Sequence, residues 1–237
     1  MIKVDSNRKK IMTKIIGVCG SPRKNSATEY ALNYALEAAG EVSGIETKLI
    51  LLRGTQINPC IHCDKCVSSN KPLPRYCIHD DDWSGLMEIF VTGVGFIIGS
   101  PVYTAGMTGL LKNFLDRVRA IAYAKSASIQ FQHPVRIGGS LAVGGTRHGG
   151  QEMTLLSINN FYLTYEFLNT GGPGGNYLGA ALWSRAGSQD HEDVSQDAVG
   201  LSRASALGKR VAQLARIIDA GMKAVGEEED LFTTKVW

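Results

Sequence analysis

The chain has 237 residues, 44% of them hydrophobic and 20% charged, enough to bury the core of one large globular domain. Its 25 basic and 22 acidic side chains leave a formal net charge of +3. That charge is spread along the sequence, which argues against a nucleic-acid or membrane partner; no stretch reads as a secretion signal or membrane span, so a cytoplasmic location is expected.

Residues 1–13 are polar and contain Met12, a possible translation start, so they are expected to form a disordered arm outside the fold. Ile15-Ile16-Gly17-Val18-Cys19 reads as a strand buried on both faces that ends at a Gly-Ser-Pro-Arg turn. Ser26 suits the N-cap of a helix with Ala31, Leu32, Tyr34, Ala35 and Ala38 on its apolar stripe, stopping at Gly40. Thr47 to Leu52 predicts a second strand, followed by a cysteine-rich insert over 58–82 and a helix from Trp83 to Val91. Capping and the helix dipole account for Asp80, Asp81 and Asp82 ahead of that helix. Phe96-Ile97-Ile98 predicts the third strand. Met107, Leu110, Leu111, Phe114, Leu115, Val118 and Ile121 recur at spacings of three and four and predict one amphipathic helix. A fourth strand is expected over Ile137 to Val143, a helix over Met153 to Phe167, a fifth strand near Tyr177 to Leu182, and one final helix from Val194 to Ile218. The domain would span 14–220, and a solvated tail would occupy 221–237 with the acidic run at 227–230.

Strands alternating with helices predict an α/β fold, a doubly wound five-stranded parallel sheet with helices on both faces. Ligands of such sheets bind beyond the carboxyl ends of the strands. The segments rich in Gly, Ser and Pro fall there, at 20–28, 99–106 and 144–152, so three loops should converge on one site. The first loop lacks the Gly-Lys-Ser/Thr ending of a triphosphate loop and the three spaced glycines of a dinucleotide fingerprint. It offers hydroxyls at Ser21, Ser26 and Thr28, the Arg23 guanidinium, and backbone amides at a helix N-terminus, a set suited to a phosphomonoester. A plain strand-to-helix turn with a hydroxyl cap would also account for this loop.

The three segments Gly20-Ser21-Pro22-Arg23-x-x-Ser26-x-Thr28, Gly99-Ser100-Pro101-Val102-Tyr103-x-x-Gly106 and Gly144-Gly145-Thr146-Arg147-x-Gly149-Gly150-Gln151-Glu152 resemble the cofactor loops of the flavodoxin-like FMN reductases. The resemblance spans residues 14 to about 220. It implies FMN, with its phosphate on Ser21, Arg23, Ser26, Ala27 and Thr28. It also implies that Pro101, Val102, Tyr103, Thr104, Ala105 and Gly106 run beside the isoalloxazine ring, with Gly145, Thr146 and Arg147 near its pyrimidine edge. Tyr103 fits a core aromatic as well, and His148 reads as a surface residue. Gly106 and Gly145 leave room for a flat ring, and the redox chemistry belongs to the flavin, so no side chain is assigned as a catalytic acid or base.

Cys60, Cys63, Cys66 and Cys77 fall within eighteen residues, while Cys19 stands alone at the end of the first strand and reads as core. In a chain without a secretion signal, such crowding favours metal or redox chemistry over disulfides. Three readings are open: an iron-sulfur cluster, whose ferredoxin-like spacing is present; zinc, for which His62 and His79 are possible substitutes; or thiols holding no metal. The motif Cys60-Ile61-His62-Cys63-Asp64-Lys65-Cys66 followed by Cys77 resembles that of the iron-sulfur flavoproteins. This implies a [4Fe-4S] cluster on the four cysteines beside FMN, a ferredoxin-like electron donor, a small-molecule acceptor, and a homodimer or homotetramer. The alternatives are an NAD(P)H-dependent FMN or quinone reductase without a cluster, and a flavin-binding redox sensor.

Overall fold

The structure is a computed structural model that describes residues 12–71, 73–124, 129–185 and 192–225. The residues expected to form an N-terminal arm, except Met12 and Thr13, and the acidic run of the tail lie outside the described residues.

Strand β1 (Thr13–Cys19) is followed by α1 (Ala27–Gly40), β2 (Ile45–Leu51), the short α2 (Lys65–Ser68) and α3 (Trp83–Phe90). Next come β3 (Gly95–Pro101), α4 (Gly109–Asp116), α5 (Arg119–Ala122), β4 (Ile137–Gly144) and α6 (Gln151–Thr164). The chain continues through β5 (Leu168–Asn169), β6 (Ala180–Trp183), α7 (Glu192–Ser195) and α8 (Ala198–Val225). All strand pairs are parallel, in the order β2-β1-β3-β4 with β5 and β6 both against β4.

The period of two along a strand sends alternate residues to opposite faces, and here both faces are covered. Ile15, Cys19, Ile97 and Leu141 pack with Leu32 and Ala35 of α1 and Leu207 and Val211 of α8. Ile16, Val18, Phe96 and Ile98 pack with Trp83 and Met87 of α3, Phe114 of α4 and Tyr162 of α6. These two apolar layers sandwich the sheet and hold the carboxyl ends of β1, β3 and β4 side by side.

Four expectations need correction. The fifth strand is two short pieces: β5 pairs with the start of β4 at Ile137 and Gly138, and β6 with its end from Leu141 to Gly144. The glycine-rich segment between them takes positive φ at Gly174, Gly175 and Gly179, so it leaves the sheet before rejoining it. The amphipathic run from Met107 to Ile121 is two helices, because the bonds Ala120 N–H to Arg117 O and Ile121 N–H to Val118 O tighten the turn between α4 and α5. The apolar periodicity continues across that tightening and cannot register it. The final helix is also two, since the Asp197 carboxylate accepts from the Gly200 amide and starts α8 afresh, while also accepting from Trp183 of β6. Helix α8 runs on to Val225, past the point where the tail was expected to begin.

Asp81 is the fourth. It does accept from the Trp83 amide, but its carboxylate is fully buried against Arg117, whose Nη1 donates to Oδ2 at 2.6 Å. The same Oδ2 accepts from the Asn58 amide at 2.9 Å. Gln56 and Asp82 add a second tie beside it, the Gln56 amide donating to the Asp82 carboxylate and the Asp82 amide to the Gln56 carbonyl. Both roots of the cysteine-rich insert are thereby fastened together.

Candidate functional site

The strand order reverses at β1, because the chain moves from β1 outward to β2 and then returns to lay β3 on the other side. Loops leaving β1 and β3 therefore face each other across a crevice. The Gly20 amide donates to the Gly99 carbonyl at 2.8 Å, and Thr108 Oγ1 donates to the Gly20 carbonyl at 2.7 Å. Ser100 Oγ accepts from the Thr108 amide at 3.1 Å. Thr108 was not singled out from the sequence, and Ser100 only as part of the segment from Gly99 to Gly106; both are buried hydroxyls whose partners only the fold brings together.

In the first loop, Ser21, Ser26 and Thr28 are buried, whereas Arg23 is exposed at the tip. Ser26 caps α1 by accepting from the Glu29 amide at 3.2 Å, as its residue type predicts. Ala27 opens the helix, so its amide and that of Thr28 belong to the first turn, where no intrahelical acceptor exists. The hydroxyls, the guanidinium and these amides thus share one loop, at the positive end of a helix dipole.

Pro101 ends β3, and Tyr103 and Gly106 exchange both backbone bonds at 2.9 and 3.0 Å in a tight turn. Thr104 and Ala105 at its tip both take positive φ, 48° and 57°. Tyr103 is 48% exposed, so it is not a core aromatic but stands on the rim of the crevice. A Cβ on Gly106 would meet nothing nearer than the Tyr103 carbonyl at 3.9 Å, which leaves that side of the turn open.

The third loop is exposed from Gly145 to His148, with the Arg147 guanidinium over the Trp183 ring at 5.5 Å. Its shape is set by buried Gln151, which donates to the Thr146 carbonyl and accepts from the Gly149 amide. The Gln151 amide group fills the space a Cβ on Gly144 would need. Gly150 has φ +96°, and a Cβ there would lie 2.9 Å from the Ala105 Cα, so the third loop rests directly on the second. All three predicted loops therefore meet.

The cysteines form a second centre. Cys60, Cys63, Cys66 and Cys77 line one cavity together with Asp64, His79 and Arg119, although ten residues separate Cys66 from Cys77. Asn113 Nδ2 of α4 holds the approach by donating to the Ile57 carbonyl at 3.1 Å. Arg119 Nη2 donates to Asp64 Oδ1 at 2.8 Å, and Nη1 lies 3.1 Å from His62 Nδ1. Burial pushes the Cys66 thiol up, and its neighbours Cys77 and Cys63 push it further, against the opposing pull of Arg119. His62 contacts Arg119, does not line the cavity, and is largely exposed. Cys19 is core, its thiol pushed up to about 11 by burial.

Among the described residues, no three His, Cys, Asp or Glu side chains converge tightly enough to hold a single metal ion. The four cysteines line one cavity. Four soft sulfur donors suit a thiolate-ligated iron-sulfur group. In the same wall, His79 Nε2 is buried with no hydrogen-bond partner, an orphan that sulfur acceptors inside the cavity would satisfy.

A doubly wound parallel sheet with its loops gathered at the switch point defines a flavodoxin-like α/β protein. A flavodoxin, WrbA-like protein from Agrobacterium tumefaciens shares this fold at a TM-score of 0.54 and 16% identity, over 87% of this chain and 99% of that one. The profile of the NADPH-dependent FMN reductase family matches residues 13–172. Two iron-sulfur flavoproteins of Methanocaldococcus jannaschii are similar in sequence. One is 36% identical over 207 residues, which cover 86% of this chain and 98% of the relative; the other is 39% identical over 189 residues, covering 79% and 89%. The chain belongs to the NADPH-dependent FMN reductase family and is an FMN-dependent oxidoreductase.

Proposed function

We propose that this protein works as an iron-sulfur flavoprotein. FMN would be held with its phosphate on Ser21, Arg23, Ser26, Ala27 and Thr28 and its ring beside residues 101–106. The pyrimidine edge would lie toward Gly145, Thr146 and Arg147, and a [4Fe-4S] cluster would be bound by Cys60, Cys63, Cys66 and Cys77. A ferredoxin-like donor would deliver single electrons at the cysteine cavity. Two of them, with two protons, reduce a small acceptor such as a quinone to its quinol at the flavin site. When bound, FMN supplies the ability to exchange electrons singly or in pairs. The protein's own part is to cradle the phosphate, press amides and small side chains against the ring, and keep the thiols around one cavity. A cytoplasmic homodimer or homotetramer completes the reading.

The observation that carries it is the gathering of Cys77 with the Cys60–Cys66 run around one cavity, across a ten-residue gap. The similar iron-sulfur flavoproteins support it. Purification without oxygen, followed by iron, sulfide and flavin analysis, tests it. The expected result is about four irons and four sulfides per chain, together with FMN and no FAD, because the first loop cradles one phosphate and no pyrophosphate fingerprint accompanies it. A protein with FMN but neither iron nor sulfide, turning over with NAD(P)H alone, would instead establish the cluster-free reductase that the family profile also supports.

A further inference from the structure

The cysteine run is bent by two residues in the left-handed region, His62 at φ 51° and Asp64 at φ 56°. Each lies between two cysteines of the motif, and neither is glycine, so something must hold these turns in place. Both side chains reach the same group, Arg119, at the start of α5. That guanidinium also lines the cavity of the four cysteines. It is well anchored, because Arg117, two residues earlier, forms the buried pair with Asp81.

We propose that Arg119 is the positioning residue and counter-charge of the cysteine cavity: it shapes the Cys60–Cys66 run before any ligand arrives, and its fixed positive charge raises the reduction potential of the group held there. The proposal rests on the cluster reading above. An arginine stays protonated at every working pH, and its planar fork serves Asp64 through Nη2 and His62 through Nη1, a two-nitrogen geometry that the point charge of a lysine does not reproduce. Every thiolate ligand brings negative charge into the cavity, and reduction adds one more electron. A cation in the wall favours the reduced state, and its loss moves the potential to more negative values.

The test compares wild type, Arg119→Gln and Arg119→Lys, all purified without oxygen and reconstituted with ferrous iron and sulfide. Iron and sulfide per chain are measured, together with FMN content and the midpoint potential from an electron paramagnetic resonance titration. In Arg119→Gln the midpoint should become more negative and occupancy should fall several-fold, with FMN content unchanged. Arg119→Lys should keep most of the potential, since the charge remains, but show the same loss of occupancy. Wild-type potential and occupancy in Arg119→Gln would overturn the proposal while leaving the cluster reading intact. Should Arg119→Gln fail to fold, full occupancy in Arg119→Lys overturns it. A wild-type protein that takes up no iron and sulfide overturns the cluster reading and the role of Arg119 with it.

Discussion

Asp81 and Arg117 form a pair with almost no solvent exposure, and the pair also binds the Asn58 amide at the far root of the insert. Burial pushes the Asp81 carboxyl up, but the Arg117 guanidinium and the Asn58 and Trp83 amides outweigh it and hold the group below its ordinary value. A depressed pKa contributes stability above the unfolded value of about 3.9, and this contribution is lost as the pH falls through the lower folded value. Asp81→Asn should therefore cost about 3–5 kcal/mol in urea unfolding at pH 7, because it strands a buried guanidinium. The wild-type advantage over this variant should shrink below about pH 4; an equal difference at pH 3 and pH 7 would contradict the assignment. Arg23 tests the phosphate loop in the same single-residue terms. Its replacement by alanine should weaken FMN by about 1.5–3 kcal/mol, the worth of a hydrogen bond to a charged group, read by fluorescence titration of the flavin-free protein. Unchanged affinity would mean that the phosphate sits elsewhere. Neither Arg117 nor Asp81 was legible as a pair in the sequence. Arg117 falls three residues after Phe114 in the apolar periodicity from Met107 to Ile121, and a charge at such a position is the trace that a buried partner leaves.

At the level of elements, the segment from Thr108 through α5 connects the two centres. Its first hydroxyl fastens the loop after β1 to the turn after β3, and Arg117 and Arg119 at its other end hold the root and the rim of the cysteine insert. One short stretch of backbone thus sets the position of both sites. The start of α6 does the same for the third loop, where Gly150 meets the second loop with no room for a side chain. Gly150→Ala would combine strain at φ +96° with a clash against the Ala105 backbone of the second loop. Thermal unfolding should show a loss of more than about 1 kcal/mol, and FMN binding should weaken because the 103–106 turn is displaced. A variant with wild-type melting and affinity would show that the loops are not in contact. The strands and the first helix were readable because burial on both faces and a serine cap are local patterns. The splitting of the fifth strand was not, since it depends on which part of β4 each piece can reach.

For the whole molecule, two layers of helices on one sheet leave its carboxyl ends free for the loops. Among the described residues no helix is long and apolar enough to cross a membrane. The proposed FMN and cluster sites draw on separate residues, so they should be separable by mutation. Cys77→Ser should lower iron and sulfide content or convert the cluster to a smaller form, while FMN stays bound. Reduction by ferredoxin should slow sharply, and reduction by dithionite should persist. Loss of FMN together with iron would show that the two centres fold as one unit.

The sequence by itself determined the fold class, the three loops and the identity of the four clustered cysteines, because hydrophobic period, glycine placement and residue spacing are written along the chain. Only the tertiary structure decided that Cys77 reaches the other three, that Asp81 is an ion-pair partner as well as a cap, and that Arg119 and His79 belong to the cysteine cavity. These are contacts between residues up to about sixty positions apart. Such contacts exist only after the sheet has brought the helix ends beside the insert, and no local pattern encodes the distance across a folded core.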